Sequence, residues 1–362
     1  MFSLLRSNEK AFGLDISELS LKLIKLKEKR NRVFLESYNE IDVPPGIIVN
    51  AEIEKPEKLI SLIGKLIKTA KGKMIFNREV ISVLPEPKTF IKLIRIPYPK
   101  EETNLAEAIG KEAEHHIPLP LAEMYFDWQI IRNPFYQEEP DKIYILVGAC
   151  KKNVTDQYTD LLEKADLVPL TLEIEPVAIA RSLIKEEGSE IANFAQIIID
   201  LGAIRTGLTL FDHGTIQFSL SLPISGTEIT ETIAKSLELT LNQAEKMKIF
   251  CGLDKKRCRG SIRKILHNRI DELVLNIKNA INFYKNHFSR TNKVEKIILC
   301  GGGANFLGLP EFLSQKLNLK VTQGNPWANI TCRERNFPVP EDKSLSFTTA
   351  IGLALRGIKS KE

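Results

Sequence analysis

GLDISELSLK at residues 13–22 and IIDLGAIRTG at residues 198–207 decide how this chain is read. In each, an apolar strand ends in an aspartate: Asp15 in the first, Asp200 in the second. A short small-polar turn follows, then an alternating strand, a polar turn and a third strand. The first copy fills residues 11–42, and its short turns require antiparallel pairing. The second runs through FAQIIIDLG, TGLTLFD and IQFSLSLPI. The same elements in the same order, at similar lengths, argue for an internal duplication. Tight turns between strands aim several backbone N–H groups to one side, and such concavities take phosphate oxygens. Two of them facing each other would grip a triphosphate. An aspartate at each strand end would hold the water shell of Mg²⁺, with Lys22 neutralising phosphate charge. The expectation is one nucleoside triphosphate held in a cleft between two related α/β halves.

Around these hairpins the chain alternates strands and helices. KPEKLISLIGKLIKTAKGK has helical spacing at Leu59, Ile60, Ile63, Leu66 and Ile67, and REVISVLP is a short buried strand. Residues 89–171 read as an inserted α+β unit: strands TFIKLIRIP, MYFDWQIIRN and DKIYILVGACKK, two helices, and a returning strand LTLEIEP. The second half is rich in helix, including a long amphipathic one over residues 261–288. Two further stretches bear on chemistry. LCGGGANFLGLP ends a strand in three glycines, Gly301, Gly302 and Gly303, which permit close backbone approach to a base or its α-phosphate. AEKMK puts Glu245 and Lys248 on one helix face, suited to ribose hydroxyls and a sugar or base edge.

Bulk properties narrow the class. The chain has 362 residues, 43% hydrophobic and 27% charged, ordinary for a globular protein. Its net charge of +5 is too small and too evenly spread to argue for nucleic acid. The N-terminus has too short an apolar run for a signal peptide, and no run approaches the ~20 residues of a membrane span. Phe2, Leu4 and Leu5 read as part of a frayed terminus. Of five cysteines, none paired at metal-ligand spacing, Cys150, Cys300 and Cys332 read as buried reduced thiols in a reducing compartment. His115 and His116, beside Glu112 and Glu114, read as a polar helix end rather than a metal site. DKKRCRGSIRK concentrates Lys255, Lys256, Arg257, Arg259, Arg263 and Lys264; the bland reading is a solvated loop, the sharper one contact with anionic lipid or an acidic partner.

Together these motifs resemble the actin-like ATPase superfamily, and within it the PilM family of type IV pilus assembly proteins, which is related to the division protein FtsA. The resemblance covers almost the whole chain. It implies an α/β fold: a duplicated actin-like (ribonuclease H-like) core with an FtsA/PilM-type inserted α+β (SHS2-like) subdomain. On that pattern residues 1–88, 172–195 and 345–362 form the first core subdomain and 89–171 the insertion. Residues 196–230 and 290–344 form the second core subdomain, and 231–289 a helical cap over the nucleotide.

The resemblance also implies the site. ATP with Mg²⁺ would meet Asp15, Ser17, Glu18, Ser20 and Lys22 at the first phosphate motif, and Asp200, Gly202 and Thr206 at the second. Gly226, Glu245 and Lys248 would lie at the nucleoside, and Gly301, Gly302 and Gly303 at the adenosine motif. Asp15 and Asp200 would hold the metal through water, and Glu175 would orient the attacking water. The chain departs from the family in two turns. Ser17 and Glu18 stand where the family reads glycine and serine, and Ser225 replaces the first glycine of a Gly-Gly turn. Ser17 carries a Cβ and Glu18 a negative charge near the phosphates. At most a weak ATPase is expected, with the nucleotide more a structural ligand than a fuel.

As to function, the resemblance implies a scaffold at the cytoplasmic face of the inner membrane. Its partner would be the N-terminal tail of a PilN-like inner-membrane protein, docked between the first core subdomain and the insertion, with TFIKLIRIPYP a candidate contact. Peripheral membrane association through partners and self-association into a ring or filament belong to the same reading, and nucleic acid does not. The alternatives are a small-molecule kinase, for which no unclaimed general base is evident, and an FtsA-like division protein, whose C-terminal amphipathic anchor is not expected after LALRGIKSKE. An Hsp70-type chaperone is not expected at this length.

Overall fold

The computed structural model describes residues 10–98, 105–132, 139, 141–185, 194–331 and 339–359. In chain order the first strands are β1 (Phe12–Ile16), β2 (Ser20–Lys29), β3 (Arg32–Asp42), β4 (Ile48–Val49) and β5 (Glu52–Ile53). Then come α1 (Pro56–Lys68), β6 (Lys71–Gly72), β7 (Glu79–Leu84), β8 (Thr89–Pro97), α2 (Leu105–His116), β9 (Met124–Ile130) and β10 (Lys142–Lys151). The middle of the chain holds α3 (Lys152–Lys164), β11 (Val168–Ile174), α4 (Glu175–Leu183), β12 (Ala195–Leu201), β13 (Thr206–Asp212) and β14 (Thr215–Leu222). The remainder is α5 (Gly226–Leu237), α6 (Leu241–Cys251), α7 (Ser261–Ile265), α8 (His267–His287), β15 (Val294–Cys300), α9 (Leu309–Leu317), β16 (Lys320–Gln323) and α10 (Thr348–Lys359). Two compact units contain these elements. One comprises Met1–Thr89, Cys150–Glu186 and Asn325–Glu362, the other Phe90–Ala149 and Glu187–Gly324.

The first unit is a three-layer α/β/α body. Its sheet has the order β11-β7-β1-β2-β3-β6, with β1 parallel to β7 and antiparallel to β2. β1 is buried along its whole length, as a strand covered on both faces must be. On one face Phe12, Leu14, Leu21 and Leu23 pack against α1 and α3 through Leu59, Ile63, Tyr158 and Leu161. On the other, Ile24, Leu26 and Leu35 meet Ala350, Ile351 and Ala354 of α10. The helix backbone comes so close there that a Cβ on Gly13 would lie 2.4 Å from the Ala350 carbonyl oxygen. Gly13 is therefore a packing glycine, not a phosphate contact.

The second unit repeats this order: β16-β15-β12-β13-β14, with β12 parallel to β15 and antiparallel to β13. Even the second turn recurs. Arg30 and Asn31 join β2 to β3, and His213 and Gly214 join β13 to β14, all four with positive φ, the conformation that right-twisted two-residue hairpins need. The expected duplication is thus visible in strand order, strand direction and turn geometry. Beyond β14 the sheet continues through β8, β10 and β9, where Ile94, Ile96, Ile145 and Val147 bury Ile109 and Ala113 of α2.

Two expectations meet a different structure. The insertion ends near residue 150, not 171: β11 pairs with β7, and α3 packs into the first core through Val154, Tyr158 and Leu162. The apolar run LTLEI satisfies a neighbour in either sheet, so sequence leaves that choice open. The single helix expected over 261–288 breaks at Leu266, between α7 and α8, while Ile262, Leu266, Ile270, Leu273, Ile277 and Tyr284 keep the buried stripe.

Candidate functional site

The second hairpin, β12–β13, is built around close backbone packing. Its turn is closed by Gly202, whose N–H donates to the Arg205 carbonyl; a Cβ on Gly202 would sit 2.7 Å from that oxygen. Beside it β15 ends at Cys300, whose thiol lies 3.7 Å from Asp200 Oδ1. Gly301 follows with φ +79°, and a Cβ there would fall 2.2 Å from Asp200 Oδ1. Gly303 is also closed in, with Leu201 atoms 2.9 Å from where its Cβ would be. Gly302 differs: a Cβ at that position meets no atom of the chain within 4 Å. Packing explains two of the three glycines and leaves Gly302, at the exposed middle of the turn, without an internal reason.

Helix α5 starts on the same turn. The Gly226 N–H donates to the Gly202 carbonyl at 3.1 Å and the Thr227 N–H to the Ala203 carbonyl at 2.9 Å. Ser225 caps the helix by accepting from the Glu228 N–H at 3.1 Å, with φ −142°. Serine is therefore a sound N-cap at this position, and the first N–H groups of α5 are already taken. Helix α6 brings in the other pair. Lys248 Nζ donates to the Gly226 carbonyl (3.1 Å) and to Thr230 Oγ1 (2.9 Å), and pairs with Glu245 at 2.7 Å; the Thr230 hydroxyl donates to Glu245 at 2.5 Å. Gly202, Gly226, Glu245 and Lys248, chosen from three separate motifs, share one network. Thr206 is the exception, since it is fully buried and its hydroxyl donates to the Ile224 carbonyl at 2.6 Å.

In the first unit the corresponding hairpin turns its polar groups on one another. Asp15 lies opposite Lys22 in the β1–β2 register, 3.7 Å away. Ser17 Oγ donates to Asp15 at 2.9 Å, and Lys22 Nζ to Ser20 Oγ at 2.6 Å. Burial raises the Asp15 pKa above the ordinary carboxylate value, against the opposing pull of Lys22 and Ser17. Glu18 does not lie loose in the turn. It accepts the Ala51 N–H at 2.8 Å, where Asn50 and Ala51 both have positive φ between β4 and β5. Glu175 opens α4 and accepts from Thr349 Oγ1 at 3.2 Å. Tyr158 is a residue that sequence missed. It is buried, its hydroxyl donates to the Ala51 carbonyl at 3.5 Å, and burial first, then the Glu18 charge, holds its pKa well above the ordinary phenol range. Thr230 was also missed, although its place four residues after Gly226 on α5 was a usable signal.

Other expectations resolve simply. His115 bonds the Lys111 carbonyl and His116 pairs with Glu112, as a polar helix end does. Among the described residues no group of three or more His, Cys, Asp or Glu side chains is arranged to hold a metal ion. Cys150 and Cys300 are buried and lie outside any disulfide, and Cys332 lies outside the described residues. The reduced-thiol reading does not extend to Cys251 and Cys258, which form a disulfide. Gly252 (φ +55°) and the left-handed run Cys258–Gly260 fold their Cα atoms to 5.7 Å, within bridging range. Among the described residues no helix is long and apolar enough to cross a membrane.

Comparison with known proteins places the chain in a class first. It matches an MreB5 structure of Spiroplasma citri bound to AMPPNP (TM-score 0.52, 14% identity, 98% of each chain). It also matches the ethanolamine utilization protein EutJ of Carboxydothermus hydrogenoformans (TM-score 0.54, 17% identity, 95% of this chain and 89% of that one). These likenesses define the actin-like fold. FtsA of Buchnera aphidicola is 23% identical over 71% of this chain, and FtsA of Pseudomonas aeruginosa 22% over 71%. Those matches span 66% and 64% of the relatives' own lengths. The family model for type IV pilus assembly protein PilM matches residues 13–358, and the chain belongs to that family. A solved PilM-PilN type IV pilus biogenesis complex agrees with it at TM-score 0.82 and 26% identity, over 96% of this chain and 98% of that one.

Proposed function

We propose that the protein is an ATP-binding, actin-like scaffold of type IV pilus or related secretion machinery, at the cytoplasmic face of the inner membrane. In this reading it binds the N-terminal cytoplasmic tail of a PilN-like membrane protein. Family membership and the PilM-PilN complex support the pilus assignment and the partner, and the AMPPNP-bound relative supports the nucleotide. The observation that carries the nucleotide reading is Gly302, a glycine that the chain's own packing does not require, beside a network of Gly202, Gly226, Glu245 and Lys248. Asp200, Gly202, Gly226, Glu245, Lys248 and Gly301–Gly303 are the proposed contacts on the second unit. Asp15, Ser20 and Lys22 are those on the first. Mg²⁺ would arrive with the phosphates and keep most of its waters, which needs only Asp15 or Asp200 nearby and no protein cage. When bound, ATP with its metal supplies a fixed polyanion that the lysines and glycine turns orient. Glu175 is the candidate for positioning a water, and hydrolysis is weak at most.

The test is a thermal-shift titration with ATP, ADP and Mg²⁺ on wild type and Asp200→Ala. Ligand at 100 times its Kd adds about 2.7 kcal/mol, so wild type should melt several degrees higher. Asp200→Ala should shift less. No shift in wild type would sink the nucleotide reading. Retention of a PilN-type tail peptide by that same protein would leave the scaffold reading in place.

A further inference from the structure

The segment from Lys246 to Lys264 runs from the second half of α6 into α7 and has no role in the network around Glu245 and Lys248, apart from Lys248 itself. It contains eight cationic residues and one acid, Asp254, an excess larger than the +5 of the whole chain. Lys246, Lys255, Lys256, Arg257, Arg259 and Lys264 are exposed. Among the described residues Lys255, Lys256, Arg259 and Lys264 form no ion pair. Within this positive field stand two adjacent bulky apolar side chains, Ile249 and Phe250, 65% and 64% exposed. A solvated basic loop accounts for the charge and not for that pair, because large apolar side chains side by side in water cost free energy without return.

The segment is also held in one shape. The Cys251–Cys258 disulfide ties the basic loop to the end of α6. Arg257 lies over the Phe250 ring at 5.2 Å and donates to the Phe250 carbonyl at 2.8 Å. Beneath, Leu253 is buried and its N–H donates to the Leu307 carbonyl at 2.7 Å, while a Cβ on Gly252 would strike Leu307. The base is fixed in the core and the tip presents an aromatic and an aliphatic side chain, with Arg257 over the aromatic ring and a run of exposed cations next in sequence. Lysine and arginine heads at the level of anionic headgroups, with apolar side chains reaching below them, is the arrangement that binds a negatively charged bilayer surface. An acidic peptide would use the cations and leave Ile249 and Phe250 in water. We infer that this stapled tip, Ile249–Phe250 with Lys255, Lys256, Arg257 and Arg259, is a direct contact for anionic lipid.

Flotation of the full-length chain with phosphatidylcholine vesicles, with and without phosphatidylglycerol, tests this. Wild type should float with the anionic vesicles only, and binding should fall steeply as salt rises from about 0.1 to 0.5 M. Lys255→Glu with Lys256→Glu should weaken binding by on the order of thirtyfold. Ile249→Ser with Phe250→Ser should weaken it about tenfold or more without any change of charge. Lys58→Glu with Lys65→Glu, the same charge change on exposed positions of α1, should bind as wild type does. All four side chains changed at the tip are exposed, and circular dichroism should show each variant folded. Failure of wild type to float with anionic vesicles overturns the inference. So does undiminished flotation of both tip variants. Binding of a polyglutamate peptide by a wild-type chain that ignores the vesicles would also overturn it, in favour of an acidic protein surface.

Discussion

The two hairpins share strand order, strand direction and a terminal aspartate, yet they surround that aspartate with different groups. In the first, Asp15 is buried and answered by Lys22 and Ser17, while Glu18 reaches away to the Ala51 amide. In the second, Asp200 stands beside a run of glycines, one of which the chain does not need for itself. Duplication copies a backbone and leaves each copy free to change its polar groups. In the first copy the polar side chains pair with one another, and in the second the glycine turn is open at Gly302. The departure at Ser17 and Glu18 therefore costs little as structure, because both side chains have partners inside the fold.

Breaking the second hairpin should have the largest effect. Gly301→Ala puts a methyl group onto Asp200 and the Leu201 backbone at a positive φ, and should cost about 4 kcal/mol in urea denaturation. The first hairpin comes next. Lys22→Met strips Asp15 of its cation and should cost about 3 kcal/mol at pH 8. That cost has a definite pH dependence. Burial raises the folded-state pKa of Asp15, so this group favours folding most below its unfolded value of 3.8 and loses that contribution as pH rises through the folded value. The Lys22→Met penalty should therefore shrink toward pH 4, where Asp15 takes up a proton, and a penalty that grew on acidification would refute the pairing. Glu18→Gln should be milder, about 1 kcal/mol through its bond to Ala51, with ATP affinity unchanged. A large loss of affinity there would put Glu18 back in the phosphate turn.

Much of this contrast could be read in the sequence, and the reasons for the rest are physical. The meeting of Gly226 with Glu245 and Lys248 is what the family resemblance implies, whereas Lys22, expected at the phosphates, pairs with Asp15 across the strand register. The partner of Glu18 is hidden because Ala51 lies 33 residues away in a turn made by positive φ at Asn50 and Ala51, neither of them glycine. The same cause hides the Cys251–Cys258 disulfide, which depends on left-handed Cys258 and Arg259. The family resemblance alone places Thr206 at the site, and in the fold the Ile224 carbonyl takes its hydroxyl, because a small polar side chain after a turn serves equally well as a buried donor. The glycines of LCGGGA look identical in the sequence. Only the surrounding atoms separate Gly301 and Gly303, which packing demands, from Gly302, which it does not.

That separation makes Gly302→Ala the smallest change to the fold and the sharpest question about function. Stability should move by no more than about 0.5 kcal/mol, since an added Cβ meets nothing. Isothermal titration of Mg·ATP into wild type and Gly302→Ala, compared at equal melting temperature, should give a Kd about tenfold weaker for the variant, a difference of about 1.4 kcal/mol. Equal affinities would contradict the account by removing the nucleotide from the second turn.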